Sequence, residues 1–433
     1  MSIDHSVAPT GAANDDARSH ETTSQDAAAQ ERGGEPQPPG SLSRSVILLF
    51  AAASGLAVAN VYFAHPLLDI MADDLGLSHA NVGGIVAVTQ IGYGLGLILL
   101  VPLGDLVDRR KLVVGQSLLS VLALAAVGFS ANSAMLLASM AATGLLAVAT
   151  QAFVAYAASL APPAKRGQVV GVVTSGIVLG ILLARTIAGT LADLAGWRAV
   201  YIISAVLTLA MTALLWMLLP EQRSSRQRST YPRLIASLFA LLAQEPVLRI
   251  RGFIAMLIFA NVTMLLTPLV LPLSAPPFSL SHTEVGLFGL AGAAGALGAS
   301  RAGVWVDEGH GQRTTAIALT LMFVAWLPIS LLPQSILWLV AGVILIDFGL
   351  QAVHVTNQGM IYRVRPEAQS RLTAIYMVFY SLGSTIGSFT STMVYAYAGW
   401  PGVCIAGASI GVLTIIFWAV TLHMSPAVNR GAE

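Results

Sequence analysis

The chain has 433 residues, of which 56% are hydrophobic and only 10% are charged. Soluble domains carry about 25% charged residues, so this composition excludes a water-soluble globule and indicates a membrane protein. The formal net charge of +1 excludes the broad basic surface that nucleic-acid binding requires. The single cysteine, Cys404, excludes an internal disulfide, a cysteine-based zinc site and an iron–sulfur cluster. We therefore expect no metal and no other cofactor.

Residues 1–43 lack apolar periodicity and are rich in Ala, Gln, Asp, Glu, Gly and Pro. Such a segment cannot bury enough apolar surface to offset the entropy lost on ordering, so the sequence predicts a disordered tail. The tail has no charged region followed by an apolar one, which a cleaved secretory signal would need.

From Ser45 onward, apolar runs of about 18 to 25 residues follow one another, each long enough as a helix to cross ~30 Å of hydrocarbon. The sequence predicts an all-α membrane protein with twelve membrane-spanning helices, numbered here as spans 1 to 12. They are expected at 45–67, 81–103, 112–130, 133–159, 167–191, 199–219, 251–272, 284–303, 315–332, 337–358, 372–396 and 403–423.

A hydrophilic stretch divides the spans into two groups of six. We therefore predict five regions, in chain order: a cytoplasmic tail, an N-terminal six-helix bundle (the N half), a cytoplasmic linker, a C-terminal six-helix bundle (the C half) and a cytoplasmic C-terminal tail. Their bounds are 1–43, 44–219, 220–250, 251–424 and 425–433.

The basic residues predict the orientation, because Lys and Arg in short loops stay on the cytoplasmic side. With these spans, 20 of the 22 Lys and Arg residues fall on the side of the two termini. The exceptions are Arg198 in a loop on the opposite side and Arg185 inside span 5. The sequence thus predicts a multi-pass protein of the bacterial inner membrane with both termini in the cytoplasm.

The two groups of six spans repeat several short patterns in the same order, at offsets of 199 to 205 residues. The repeated elements are Gly104-x-x-x-Asp108 with Gly303-x-x-x-Asp307, Gln151-Ala152 with Gln351-Ala352, Arg166 with Arg371, and Ala195-Gly196-Trp197 with Ala398-Gly399-Trp400. Two parallel repeats place a substrate site at their interface near the middle of the bilayer, and one half then rocks against the other. The pattern predicts two pseudo-symmetric bundles with alternating access.

Two motifs resemble those of the major facilitator superfamily, and the resemblance extends over residues 45–423. The loop after span 2, which begins Gly104-Asp105-Leu106-Val107-Asp108, is similar to the signature G-x-x-x-D-R-x-G-R-R but lacks its second glycine. Span 5 carries Gly176-x-x-x-Gly180-x-x-x-Ala184-Arg185-x-x-Ala188-Gly189, which resembles the antiporter motif G-x-x-x-G-P-x-x-G-G, with Arg185 in place of the proline. The resemblance implies the major facilitator fold and favours the twelve-span drug:proton antiporters. It also implies a monomer.

Asp347 is the only acidic residue deep inside a predicted span. An ionisable side chain at membrane depth costs several kcal/mol, and a buried carboxyl can hold a proton near neutral pH, as proton coupling requires. Asp347, Gln351, His354 and Gln358 follow the helical repeat and form one polar stripe on span 10. His354 could relay the proton or bind substrate, or it could only hydrogen-bond to a neighbouring helix.

Arg185 is the only cation placed well away from the ends of a predicted span, at a depth similar to that of Asp347. We expect the two side chains to pair, so that protonation of Asp347 breaks the pair and biases the conformation. Two alternatives are that Arg185 binds an anionic group of the substrate or that it extends outward to the membrane surface.

Other polar side chains at depth are candidates for the substrate cavity. The resemblance implies that spans 1, 4, 7 and 10 line it, which favours Asn60, Gln151 and Asn261. Further candidates are Tyr62, Gln90, Gln351, Gln358, Tyr376 and Tyr380. Packing between helices explains many of these residues equally well.

The loop between spans 2 and 3 is a candidate cytoplasmic gate. By the resemblance, Asp108 meets the positive N-terminal end of span 11 near Arg371 and keeps the inside closed in the outward-open state. Gly104, Asp105, Arg109 and Arg110 complete the predicted gate. An alternative is that the basic residues of this loop only set the orientation of the protein in the membrane.

We expect a secondary transporter, and not an enzyme, that exports a small organic molecule in exchange for protons. No G-x-x-x-x-G-K-[ST] loop indicates ATP use, and no H-E-x-x-H or comparable set indicates an enzyme. A proton-coupled uptake symporter is the alternative within transport. A receptor or an intramembrane enzyme is the more remote one, and a receptor would leave the repeat unexplained. The expected partners are the substrate, protons and the lipid bilayer.

Overall fold

The computed structural model describes residues 43–162, 165–219, 230–365 and 368–422. Over these ranges the chain is helical and contains no strand, so the all-α prediction is confirmed. Both predicted tails, apart from Ser43, lie outside the described residues, as does the first part of the linker.

The N half contains spans 1 to 6. In chain order, its helices are Arg44–Tyr62 with Leu68–Leu75, Gly83–Leu99, Arg109–Gly128, Ser133–Ala147 with Ala149–Leu160, Arg166–Ala195 and Trp197–Leu218. Polar side chains cap the starts of three of these helices, among them Arg109–Gly128 and Ser133–Ala147. Asp108 accepts a hydrogen bond from the amide of Lys111 (3.0 Å), and Asn132 accepts one from the amide of Met135 (2.8 Å).

The C half follows a linker helix, Tyr231–Gln244. The helices of spans 7 to 12 are Pro246–Leu266 with Val270–Ser274, His282–Leu287 continuing into Gly292–Asp307, Gly311–Val324 with Trp326–Ser330, Ile336–Tyr362, and the long Gln369–Thr421. Span 8 is interrupted by a 3-10 turn at Phe288–Ala291.

Ten helical segments of the described chain are long and apolar enough to cross a membrane. The longest, Gln369–Thr421, contains both span 11 and span 12, because Gly399 adopts a non-helical conformation inside it. The interrupted span 8 brings the total over the described ranges to twelve, as predicted.

The repeated Ala-Gly-Trp pattern has the same structural role in each half. Gly196 and Gly399 adopt positive φ angles of 82° and 60°, which reverse the chain after spans 5 and 11. The tryptophans that follow are buried, and both indoles donate hydrogen bonds of 3.0 Å, from Trp197 to Asp74 and from Trp400 to the carbonyl of Ile329. The turn chemistry thus supports the internal repeat.

Glycines also produce equivalent close contacts within each half. A Cβ atom at Gly180 of span 5 would overlap the carbonyl oxygen of Gly55 in span 1, and one at Gly383 of span 11 would overlap that of Met256 in span 7. The span 5 motif glycines Gly176 and Gly180 therefore pack inside the N half and not against the C half.

Twelve spans return the chain to the side on which it began. We call the end of the bundle that carries Ser43 and Leu422 the terminal end, and the opposite end the distal end.

Candidate functional site

A cavity of about 440 Å³ opens between the halves near the terminal end. Its walls come from spans 2 to 5, the linker helix, the end of span 10 and the first turns of span 11. Gln116, Gln151, Arg109 and Arg371 supply polar groups, while aliphatic side chains supply most of the remaining surface. This volume lies in the range of small-molecule sites, and the mixed lining suits an organic molecule with both apolar and polar parts.

Three of the predicted gate residues line this cavity. Gly104 and Arg109 line it from the N half and Arg371 from the C half. Arg109 donates to the carbonyl of Ala155 at 2.9 Å, and Arg110 donates to the carbonyl of Trp216. The side chain of Asp105 lies outside the described part of the structure.

Asp108 does not make the contact with span 11 that the gate hypothesis assigns to the outward-open state. Its carboxylate caps span 3 instead, through the amide of Lys111. This arrangement fits a conformation in which the terminal end is open.

The distal end is closed by direct contact between backbones of the two halves. A Cβ atom at Gly83 of span 2 would overlap the carbonyl oxygen of Ser388 in span 11, and the Gly83 amide donates to the hydroxyl of Thr392 at 3.2 Å. On the other side of the bundle, a Cβ atom at Gly189 of span 5 would overlap the carbonyl oxygen of His282 in span 8. The interface between the halves is therefore closed at the distal end, and the cavity is open at the terminal end.

Aromatic residues lie between these two regions. The hydroxyls of Tyr62 and Tyr380 are 2.8 Å apart and join the N half to the C half. The Tyr380 ring also packs edge-on against Phe259 (4.1 Å between ring centroids) and Tyr93 (6.1 Å). Gln90 is buried beside this cluster, and its backbone carbonyl accepts a hydrogen bond from Ser381. Tyr62, Gln90 and Tyr380 thus lie at the interface of the halves.

Asp347 is buried, with 8% of its surface exposed. A Cβ atom at Gly292 would lie 3.8 Å from its Oδ2, and one at Gly289 would lie 3.1 Å from the Cβ of Arg185. The glycine-rich segment of span 8 therefore contacts the carboxylate of Asp347 in the C half and the aliphatic part of Arg185 in the N half.

The predicted direct pair of Arg185 and Asp347 is not formed. Their charges attract each other, but the structure contains no ion pair of 4.0 Å or less between them. The guanidinium of Arg185 lies over the Tyr62 ring instead, 5.7 Å from its centroid. The two charges therefore interact without forming an ion pair.

The polar residues of span 10 contact two different neighbouring helices. Gln351 packs on span 8, where a Cβ atom at Gly295 would lie 2.8 Å from its Cγ. His354 lies 3.0 Å from the hydroxyl of Tyr376, which is the interhelical hydrogen bond considered above. Gln358 is half-buried.

Two predicted cavity residues lie elsewhere. Asn60 accepts a hydrogen bond from Ser204 at 2.6 Å, inside the N half. Asn261 donates to the carbonyl of Gly407 at 2.7 Å and accepts from Trp326 at 3.1 Å, inside the C half. These amides cross-link helices within each bundle, because a buried amide needs partners that its own helix backbone does not offer. Neither residue lines the cavity described above, and their contact with substrate stays a prediction.

Sequence reasoning missed two charged clusters. Arg251, counted above as an orienting cation, is fully buried and donates to Thr315 at 3.0 Å and to Asn357 at 3.3 Å. His282, Asp69 and Asp193 meet at the distal end, although the sequence places them in loops or at helix ends. The spacing of these residues along the chain gives no signal for either cluster.

Comparison with known proteins identifies the family of this chain. The profile of the Major Facilitator Superfamily matches residues 48–307 and 252–433. The chain belongs to the major facilitator superfamily. It is therefore a multi-pass membrane transporter, and the family-level resemblance is confirmed.

Two relatives and one solved structure illustrate the similarity. This chain is 44% identical to the uncharacterised transporter YgaY of Escherichia coli K12 over 393 residues, which cover 91% of this chain and 100% of the relative. It is 30% identical to the probable transporter SCO4007 of Streptomyces coelicolor over 400 residues, which cover 92% of each chain. It also shares its fold with a bacterial homologue of the human lysosomal transporter Spinster in an inward-facing, occupied conformation. The TM-score is 0.71 at 13% identity, over 89% of this chain and 98% of the other.

Proposed function

We propose that this transporter exports a small organic molecule from the cell in exchange for protons. The distribution of Lys and Arg supports a cytoplasmic terminal end, so the open cavity faces the cytoplasm and the distal end faces outward. The protein then acts as a monomer in the inner membrane, with the structure representing its inward-open state.

The observation that carries this proposal is the position of Asp347. It is a buried carboxylate of the C half that interacts electrostatically with Arg185 of the N half, and both residues pack on the glycines of span 8. A proton on Asp347 removes its attraction for Arg185, so the protonation state changes how strongly the halves attract each other at mid-membrane. Loading Asp347 from the outside and emptying it inward would drive the substrate in the opposite direction.

Two further observations favour export. The span 5 motif resembles that of antiporters, although its glycines pack against span 1. A more distant relative, in Lactococcus lactis, is named as a homologue of the multidrug efflux pump PmrA and is 25% identical over 82% of this chain.

The first test identifies substrate and direction. Cells with and without the protein are loaded with a panel of cationic, neutral and anionic compounds, and retention is measured. We expect at least one compound to be retained only in the cells that lack the protein. Retention of anions alone would assign Arg185 to substrate binding. Greater accumulation in the cells that contain the protein would indicate uptake by symport.

The second test addresses coupling. In everted membrane vesicles, addition of the identified substrate should release protons from the lumen through the native protein but not through Asp347→Asn. Asp73→Asn removes an exposed acid at the distal end and serves as the matched control, with native behaviour expected. If Asp347→Asn retains proton-driven transport at the native rate, Asp347 is not the coupling residue.

A further inference from the structure

Three charged side chains from separate spans meet at the distal end, far from the cavity. His282 is the first helical residue of span 8, Asp69 lies at the distal end of span 1, and Asp193 lies in the last turn of span 5. They are partly shielded from solvent, with side-chain exposures of 18%, 14% and 28% respectively. The histidine belongs to the C half and both acids belong to the N half.

Both ring nitrogens of His282 face a carboxylate. Nδ1 lies 2.9 Å from Oδ1 of Asp193, and Nε2 lies 3.2 Å from Oδ1 of Asp69. An ionised carboxylate can only accept hydrogen bonds, so both nitrogens must carry a hydrogen for both bonds to form. This geometry therefore fits the positively charged imidazolium, which makes two charge-assisted hydrogen bonds across the interface.

Asp193 also binds the start of span 8 directly. Its Oδ2 accepts from the amide of Thr283 at 2.8 Å and from the Thr283 hydroxyl at 2.6 Å, and its Oδ1 accepts from the amide of His282 at 3.2 Å. An acidic side chain of the N half thus caps the first helix of span 8 in the C half, at the end where free amides favour a negative charge.

The neighbouring backbones touch at the same place. Beyond the overlap of Gly189 with His282, the hydroxyl of Thr186 donates to the carbonyl of Gly286 at 3.1 Å. Every one of these contacts joins span 1 or span 5 to span 8. They must all break when the halves separate distally, as alternating access demands.

We propose that Asp69, His282 and Asp193 form the distal gate of this transporter, which is closed while the cavity is open at the terminal end and whose closed form is stabilised by protonation of His282. These are positioning residues for the transport cycle, and none touches the cavity. The proposal rests on the transport function above for the meaning of the gate. Its geometry is independent of the role of Asp347.

The charges around His282 set the sign of the pH dependence. Asp69 comes from span 1 and Asp193 from span 5. His65 and Arg185 lie deeper on these two spans, and Glu284 of span 8 is bound to Ser281. The hydrogen bond to Asp69, with that to Asp193 and the two negative charges, raises the pKa of His282 against the opposing effect of burial.

When the gate opens, His282 loses both acids and its pKa returns towards the ordinary value of about 6.5. Below about pH 6.5, the charged His282 therefore contributes its full stabilisation to the closed gate. This stabilisation is lost as the pH rises through the higher pKa that His282 has in the closed form. Alkaline pH should open the distal end.

The test measures gate opening without a substrate. In a Cys404→Ser background, spin labels are placed at Ala131 in the N half and Gln334 in the C half, which are both exposed positions on distal loops. Double electron–electron resonance on the full-length protein in nanodiscs then gives the fraction with a long distance between labels from pH 5.5 to 8.5. For the native gate, the ratio of long to short distances should rise at least about threefold over this range.

His282→Gln should show a high fraction of long distances at every pH. Asp69→Asn, which removes one charge and keeps the side-chain shape, should shift the population in the same direction by a smaller amount, and it decides the question if His282→Gln does not fold. His79→Gln is the matched control, because His79 lies 3.4 Å from Asp73 inside the N half and is 55% exposed. It should behave as native.

Native distances and native pH dependence in both His282→Gln and Asp69→Asn would overturn the proposal. An equal change in His79→Gln would do the same, because it would assign the effect to distal histidines in general. Failure of Asp347→Asn to block proton-driven transport would refute the coupling mechanism and leave this measurement unaffected, so the two failures are distinguishable.

Discussion

The two ends of the interface between the halves are built from different side chains. At the distal end, glycines bring backbones into direct contact, and one histidine joins two acids. At the terminal end, long side chains such as Arg109, Gln151 and Arg371 surround an open space. Two backbones in direct contact cannot separate gradually without losing the contact, whereas long side chains can change rotamer around a bound molecule. The distal seal is therefore expected to be either formed or broken, and the terminal end to adapt to its occupant.

The largest effect should come from breaking the distal seal at Gly83. In Gly83→Val the new side chain meets the Ser388 carbonyl oxygen and the Thr392 hydroxyl, so the distal end cannot close. Overpacking costs about 1–3 kcal/mol, and we expect transport to fall at least tenfold with an excess of long Ala131–Gln334 distances. The neighbouring Gly84→Val provides the control, because a Cβ atom there meets nothing within 4 Å. Equal effects of the two variants would refute the backbone seal.

A smaller effect should come from Asp108, at the terminal end. In Asp108→Asn the side chain still caps span 3 but loses the charge that the proposed gate offers to the start of span 11. We expect an unchanged melting temperature, transport about fivefold slower and a higher fraction of short Ala131–Gln334 distances, because the terminal end closes less readily. A native distance distribution would remove Asp108 from the gate.

The smallest effect should come from the hydroxyl contact in the middle of the interface. Tyr62→Phe and Tyr380→Phe each remove a hydrogen bond of 2.8 Å that joins the halves. A hydrogen bond contributes about 0.5–1.5 kcal/mol, so each change should raise the ratio of distal-open to distal-closed molecules about threefold. In a double-mutant cycle the combined variant should match the single ones. Fully additive effects would show that the two hydroxyls act separately.

The sequence predicted the fold well, because membrane insertion imposes a local requirement on every span. Each helix must be long and apolar, and this requirement is visible without knowledge of its neighbours. Interruptions within a helix are harder to predict from the sequence than the spans themselves. Span 8 contains a 3-10 turn at Phe288–Ala291 that hydrophobicity does not reveal.

The site was harder to predict. Asp347 is a candidate from the sequence because a lone acid in an apolar run is conspicuous by itself, and its role in coupling stays a prediction. Asn60 and Asn261 are also polar groups at depth, but their partners come from other helices of the same bundle. Depth alone therefore identifies a polar residue that needs a partner and does not say whether that partner is a helix or a substrate.

The amino-acid sequence alone determined that this protein crosses the membrane twelve times, as two related halves with one deeply placed acid. Only the tertiary structure decided which faces of the spans meet, because the side-chain pattern of a helix fixes its faces but not the neighbours that they contact. It brought His282 to Asp69 and Asp193, packed Arg185 and Asp347 on the glycines of span 8 without an ion pair between them, and closed one end of the interface while leaving the other open.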